Sequence, residues 1–205
     1  MKRFCVITNR DKEDSNQKAL YIQEYLEQKG GRCCILENRR VISEGVLHYT
    51  EAEKIPEETE CVLVLGGDGT MIQAAIDLVH SRLPVLGINM GTVGFLTEVE
   101  PQNLERALDL MLGDRYTIEN RIMLRENSLT REGKRIGKAC YALNDVVVSK
   151  RGECRLITIK VYINDELADI YRADGLIIST PTGSTGYNLS AGGPVMVPDT
   201  EATVI

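Results

Sequence analysis

Cys61-Val62-Leu63-Val64-Leu65-Gly66-Gly67-Asp68-Gly69-Thr70 runs an unbroken apolar strand into three glycines set around one carboxylate. Five apolar residues without alternation suit a strand covered on both faces, as in a parallel sheet flanked by helices. The Gly-Gly pair ends that strand. Gly66, Gly67 and Gly69 can adopt φ > 0 and let a ligand approach the backbone closely, and their N–H groups can converge on an anion. Asp68, held in the middle of such a nest, suits a nucleotide phosphate beside a hydroxyl that must lose its proton, since Asp can accept the proton or hold a cation. Taken alone, Gly-Gly-Asp-Gly also reads as an ordinary strand-to-helix turn.

The 205 residues, 43% of them hydrophobic, suffice for one large domain or two modest ones. A net charge of −6 gives no support to a nucleic-acid footprint or an anionic-membrane patch. Nucleotides remain possible ligands, because they are held by local sites. Cys5, Cys33, Cys34, Cys61, Cys140 and Cys154 show no Cys-x-x-Cys spacing and read as reduced core thiols. The first apolar run, Phe4 to Ile7, is too short for a signal peptide or a membrane span, so a cytoplasmic protein is expected.

Phe4 to Ile7 reads as a first parallel strand running into the polar loop Thr8-Asn9-Arg10-Asp11, at the strand end where α/β sheets bind ligands. A helix capped by Asp14 or Ser15 follows, with Leu20, Ile22, Tyr25 and Leu26 as its apolar positions and Gly30-Gly31 as its stop. Arg32 to Leu36 is a second strand. Residues 43–60, rich in Glu, read as a solvated connection with at most weak structure, and His48 within it as a surface side chain. Thr70 then caps a helix with Met71, Ile72, Ala75, Ile76 and Val79 on its apolar face, which places the nest at a helix N-terminus. Pro84 to Asn89 is a further buried strand. It leads into a second glycine-bearing loop, Met90 to Leu96, and Pro101 opens a helix bearing Leu104, Ala107, Leu108 and Met111 and closing at Gly113. Strands alternating with helices mean a doubly wound, Rossmann-like α/β layer.

From Arg115 the texture changes. Tyr116 to Leu129 and Lys138 to Ser149 are strand-like around the turn Arg131-Glu132-Gly133-Lys134. Ile157, Ile159, Val161 and Ile163 alternate with polar residues, Asn164-Asp165 turns the chain back into Leu167 to Tyr171, and Gly175 to Thr180 continues. The expected division is an α/β nucleotide-binding domain over 1–115 and an all-β sandwich over 116–205. The second domain carries its own polar stretch, from Asp174 through Thr182-Gly183-Ser184-Thr185-Gly186-Tyr187-Asn188-Leu189-Ser190 to Pro194. Its hydroxyls, amides, glycines and one aromatic ring can hydrogen-bond a ribose and an adenine edge and stack a ring. A Ser/Thr-rich linker is the plainer reading of the same composition.

With these stretches in place the chain resembles the NAD kinase family, nearly end to end. The resemblance rests on Gly66 to Thr70, on Gly91-Thr92-Val93-Gly94-Phe95-Leu96-Thr97, on Leu143-Asn144-Asp145-Val146-Val147 and on the run from Asp174 to Pro194. The first motif alone is shared with diacylglycerol-type lipid kinases; the ordered set of four is more specific. The resemblance implies transfer of the γ-phosphoryl group of ATP, or of polyphosphate, to the 2′-hydroxyl of the adenosine ribose of NAD. It makes Asp68 the proton acceptor and Gly66, Gly67, Gly69 and Thr70 the phosphate cradle, with a divalent cation, usually Mg²⁺, offsetting charge. It also implies NAD contacts from Asp68, Gly69, Phe95, Asn144, Asp145, Arg155, Arg172 and Asp174, and from Thr185, Gly186, Tyr187, Asn188, Leu189 and Ser190. A homodimer or homotetramer is implied, with Arg172 and Asp174 reaching the site of a neighbouring subunit.

No Walker-type Gly-x-x-x-x-Gly-Lys-Ser/Thr is present, so phosphate binding falls to the glycine nest. Gln73 stands where many members carry a cationic side chain, and an amide does not neutralise phosphate charge. Members of the family continue beyond the position of Ile205, so a C-terminally truncated β-domain is expected. The other readings are a diacylglycerol-type lipid kinase, which calls for a basic or apolar membrane-facing surface, and a non-catalytic NAD-binding module.

Overall fold

The computed structural model describes residues 1–9, 13–38, 41–43, 46–91, 94–152 and 155–205, the side chains of 9, 13, 38, 41–43 and 46–48 excepted. Arg10, Asp11, Glu44, Thr92, Val93 and Cys154 lie outside the described residues, as does the side chain of His48. The chain forms two compact units, Met1–Ile118 and Glu119–Ile205.

In the first unit the elements follow as β1 (Arg3–Asn9), α1 (Glu13–Gln28), β2 (Arg32–Asn38), β3 (Val41–Ser43), β4 (Val46–His48), β5 (Cys61–Gly66), α2 (Asp68–Asp77), β6 (Val85–Asn89) and α3 (Leu104–Leu112). Four strands make one parallel sheet in the order β2-β1-β5-β6. The missing alternation in β5 has its cause in burial on both faces. Phe4, Val6, Leu63, Leu65 and Ile88 pack with Ile22 and Leu26 of α1 and with Leu104, Leu108 and Met111 of α3. Cys5, Ile7, Val62 and Val64 pack on the opposite side with Met71 and Ala74 of α2, Leu78 and Ile55. Each such fully buried aliphatic side chain contributes roughly 1.5–3 kcal/mol. After β2 the chain returns across β1 to build β5, so the order reverses between these two strands, and their carboxyl ends form the crevice where open α/β sheets take ligands.

Several local expectations shift. α1 begins at Glu13, so Asp14 and Ser15 lie in its first turn and do not cap it. Its buried positions are Ser15, Ala19, Ile22 and Leu26, whereas Leu20 is 55% exposed. Gly30 ends the helix with φ 81, and Gly31 N–H returns to Leu26 O at 2.8 Å. α2 is capped by Gly67, which places Thr70 inside the first turn, and its covered face is Met71, Ala74 and Leu78. The helix starts three residues earlier than expected, and Ile72, Ala75 and Ile76 are half-buried beside that face. The Glu-rich connection is more ordered than expected: β3 and β4 form a hairpin, and Thr50, Ile55 and Thr59 are buried.

The second unit holds β7 (Leu124–Leu129), β8 (Arg135–Ala142), β9 (Asp145–Ser149), β10 (Ile157–Ile163), β11 (Glu166–Ala173) and β12 (Gly175–Ser179), then a 3₁₀ turn, Thr182–Thr185, and α4 (Tyr187–Ser190). Its strands pair antiparallel as β7-β8, β9-β12 and β10-β11. The α/β and all-β classes both hold. The strand expected over Lys138 to Ser149 is two strands, broken at Leu143-Asn144, and residues 115–123 form no regular element. Asn164 and Asp165 both have positive φ, 50 and 67, as a two-residue hairpin turn requires. The densest burial in this unit is polar: Ser179, Thr180, Thr182, Ser184 and Asn188, beside Leu143.

Candidate functional site

At the carboxyl end of β5 the chain passes directly into α2, so Asp68 occupies the first turn of a helix that follows a buried strand. Thr70 and Met71 N–H both return to Gly67 O, at 3.0 and 3.1 Å. The amides before them have no partner within the helix, and the helix dipole adds its positive end there. None of Gly66, Gly67 and Gly69 uses the positive φ open to glycine; Gly67 is extended at φ −109, ψ −170. Their smallness serves space instead. A Cβ on Gly66 would lie 2.5 Å from Thr70 Oγ1, so Thr70 folds over it, while a Cβ on Gly67 or Gly69 would meet nothing within 4 Å. The open side of the nest is thus at Gly67 and Gly69.

The Asp68 carboxylate is held by the segment after β6. Phe95 N–H donates to Oδ2 at 2.8 Å and Leu96 N–H to Oδ1 at 3.0 Å. The Phe95 ring stands 77% exposed, which leaves a face for a stacking partner. Asn89 ends β6 level with Gly66, is buried, and accepts Gly91 N–H on Oδ1 at 2.8 Å. Gln73 donates to Asp77 Oδ1 at 2.9 Å, so the amide that replaces the expected cation is engaged within α2.

In the second unit Asn144 and Asp145 sit where β8 breaks and β9 begins. Thr180 N–H donates to Asn144 O at 2.8 Å and its hydroxyl to Leu143 O at 2.5 Å, which presses the loop after β12 onto that break. The contact is backbone on backbone: a Cβ on Gly183 would lie 2.1 Å from Asn144 O. A Cβ on Gly186 would lie 3.6 Å from Asn144 Nδ2 and 3.9 Å from Asp145 Oδ2, so the two side chains line the loop where the 3₁₀ turn meets α4. Burial raises the Asp145 carboxyl above its ordinary pKa. Asn144 Oδ1 is buried with no hydrogen-bond partner among the described residues, an acceptor suited to a ligand hydroxyl or amine.

The stretch from Thr180 to Met196 is a folded loop and not a linker. Ser184 Oγ donates to Pro181 O at 2.6 Å and accepts Met196 N–H at 2.9 Å. Asn188 is buried and donates from Nδ2 to Ser184 O at 3.1 Å and Pro194 O at 2.9 Å, so it works inside the loop. Tyr187 and Leu189 are 55% and 49% exposed, Ser190 is exposed, and Thr185 and Gly186 are half-buried. Arg155 is exposed ahead of β10, and Arg172 is exposed on β11 opposite Thr158. Asp174 pairs with Lys150 Nζ at 2.5 Å. β12 pairs Gly175 with Ser149 and Ser179 with Asp145, so Asp174 and the Asn144-Asp145 pair stand at opposite ends of the β9-β12 ribbon.

Asn89 was expected only as the end of a strand, and Gly94 and Gly183 stood in the motif stretches without a role of their own. A polar residue ending an apolar strand was a usable signal for Asn89. For the two glycines the signal is tertiary, since each is required by a residue far away in sequence. No group of three or more His, Cys, Asp or Glu side chains among the described residues is placed to hold a metal ion.

Residues 4–116 match the ATP-NAD kinase N-terminal domain, and residues 143–205 match the ATP-NAD kinase C-terminal domain. The NAD kinase of Lachnoclostridium phytofermentans is 43% identical over 206 residues, spanning 100% of this chain and 70% of that protein. The NAD kinase of Agathobacter rectalis is 42% identical over 199 residues, spanning 97% and 68%. Among solved structures, an NAD kinase from Archaeoglobus fulgidus in complex with ATP superposes with TM-score 0.71 at 27% identity, covering 98% of this chain and 70% of that one. Yeast NADH kinase complexed with NADH superposes with TM-score 0.76 at 23% identity over 98% of this chain and 64% of that one, a likeness of fold. With both domain matches in chain order and these identities along its whole length, the chain belongs to the NAD kinase family.

Proposed function

We propose that the protein is an NAD kinase, a phosphotransferase with an alcohol acceptor, that converts NAD and ATP to NADP and ADP. The observation that carries the mechanism is a single carboxylate fixed at a helix N-terminus in a glycine nest. In the transfer, the 2′-oxygen of the adenosine ribose forms a bond to the γ-phosphorus as the bond to the β,γ-bridging oxygen breaks, and ADP leaves. Asp68 takes the proton of that hydroxyl. Its two main-chain hydrogen bonds leave further lone pairs on each oxygen for this role. Gly67 and Gly69 offer open backbone to the phosphates, and the first amides of α2 supply donors. Asn144, Asp145 and the Thr185–Ser190 segment hold the adenosine, with Phe95 and Tyr187 as stacking faces.

A divalent cation, Mg²⁺, would be carried chiefly by the nucleotide phosphates. When bound it offsets the charge that develops on the transferring group. Whether polyphosphate replaces ATP is decided by a donor assay. Free thiols at Cys5, Cys33, Cys34, Cys61 and Cys140 support a reducing, cytoplasmic setting. Burial pushes the Cys33 and Cys61 thiols up to about 12, which keeps them inert.

The test is Asp68→Asn in the full-length protein, assayed for NADP with ATP, Mg²⁺ and NAD. The amide keeps size and loses the basic oxygen, so kcat falls by ~10²–10⁴ while NAD affinity stays within a few-fold. A variant with near wild-type kcat would remove Asp68 as the proton acceptor.

A further inference from the structure

We infer that Gly94 is a positioning residue for phosphoryl transfer, the first residue of a backbone clamp, 94–96, that sets the Asp68 carboxylate. The inference rests on the reading of Asp68 as proton acceptor. Each carboxylate oxygen is tied by one main-chain donor, Phe95 N–H on Oδ2 and Leu96 N–H on Oδ1. Main-chain donors cannot swing away by a rotamer change, so the clamp moves only if the segment moves. The helix fixes the Asp68 backbone from one side, and the 94–96 segment fixes its carboxylate from the other.

Gly94 does not have positive φ, so its backbone conformation does not demand glycine. Space does. A Cβ there would lie 2.0 Å from Asp68 Oδ1, 2.5 Å from Cγ and 2.8 Å from Oδ2. A methyl group in that place displaces the carboxylate or the segment that holds it. Phe95 adds a second consequence, because its N–H holds the base while its exposed ring offers a stacking face. One residue therefore separates into two functions: the ring bears on acceptor binding, and the amide bears on turnover.

The experiment compares Gly94→Ala, Phe95→Ala, Asp68→Asn and the double variant Gly94→Ala/Asp68→Asn in the full-length protein. Folding is checked by circular dichroism and thermal melting, and kcat and KM are measured with ATP, Mg²⁺ and NAD. Gly94→Ala is expected to lower kcat by roughly 10–10²-fold, the scale of an ångström-sized misplacement, with KM for NAD within a few-fold. Phe95→Ala keeps the N–H, so it raises KM and retains kcat. The double variant is no slower than Asp68→Asn, because the clamp acts through the group already removed.

Wild-type kcat in Gly94→Ala, or a loss that multiplies with that of Asp68→Asn, overturns the clamp. If Gly94→Ala does not fold, Leu96→Pro, which removes the N–H that holds Oδ1, takes its place, and wild-type kcat in that variant overturns the clamp. A fall in kcat at constant KM in Phe95→Ala overturns the separation of ring from amide. Near wild-type turnover in Asp68→Asn removes the proton-acceptor reading itself. An inactive Asp68→Asn beside a fully active Gly94→Ala removes only the clamp.

Discussion

Glu60, just before β5, brackets the amino end of the parallel sheet, and its setting makes stability depend on acid. Its Oε2 accepts Lys2 N–H at 2.6 Å and Arg3 N–H at 2.9 Å, and Arg3 Nη2 reaches Oε1 at 3.3 Å. These donors, the Lys2 N–H foremost, lower the carboxyl from its ordinary 4.5 to about 2. A depressed folded pKa means a contribution that is complete above about 4.5 and is lost as pH falls toward 2. Melting curves between pH 5 and pH 2 should therefore be flatter for Glu60→Gln than for wild type, and the variant should melt lower at pH 7. Equal slopes would place the acid sensitivity elsewhere. Asp145 runs the other way. Burial raises its pKa, so its charged form opposes folding near neutrality and the opposition fades as pH falls through the folded value. Asp145→Asn is expected to raise Tm at pH 7 slightly while raising KM for NAD, the trade of stability for function found at binding sites. An unchanged KM would take Asp145 out of the site.

At the scale of elements, the loop after β12 is positioned by backbone contact and not by side-chain packing. Gly183 lies against Asn144 O so closely that an added Cβ would sit 2.1 Å away, and backbone cannot rotate aside. Gly183→Ala should cost roughly 1–3 kcal/mol as an overpacked contact. It should also weaken NAD binding, because Thr185 to Ser190 and Asn144-Asp145 lose their common register. Thermal melting and NAD titration check both effects; a variant with wild-type affinity would show that the loop tolerates displacement. The strand break at Leu143-Asn144 has the same origin, since Leu143 O and Asn144 O accept from Thr180 and not from a sheet neighbour.

At the scale of the whole molecule, assembly is the open proposal. Asp174 and the Asn144-Asp145 pair lie at opposite ends of β12, five residues at ~3.3 Å each, a span too long for both to touch one compact adenosine. Arg172 is exposed on β11, and Tyr162, Ile163, Leu167, Ile170 and Tyr171 of the β10-β11 ribbon are exposed apolar side chains. These features support a homodimer or homotetramer in which Arg172 and Asp174 serve a neighbour. Mixing full-length Asp68→Asn and Asp174→Ala under conditions that exchange subunits should restore part of the activity. Proven exchange without recovery would assign the sites to single chains.

Much was legible in the residues themselves. Unbroken apolar runs at 61–65 and 85–88 announced strands buried on both faces, because a parallel sheet between helices leaves no wet side. Alternation at 157–163 announced antiparallel pairing, and the Gly-Gly-Asp-Gly-Thr stretch announced the helix N-terminus and the carboxylate held there. Local chemistry suffices for these, since each is set by neighbours in sequence. Which face of α2 packs, why Gly94 and Gly183 are glycine, and which groups hold Asp68 and Asn144 were decided only by tertiary structure. In the two glycines the deciding atom belongs to a residue 26 or more positions away. Spacing along the chain carries no record of such contacts, because they exist only once the sheet, the helices and the folded loop have brought those atoms together.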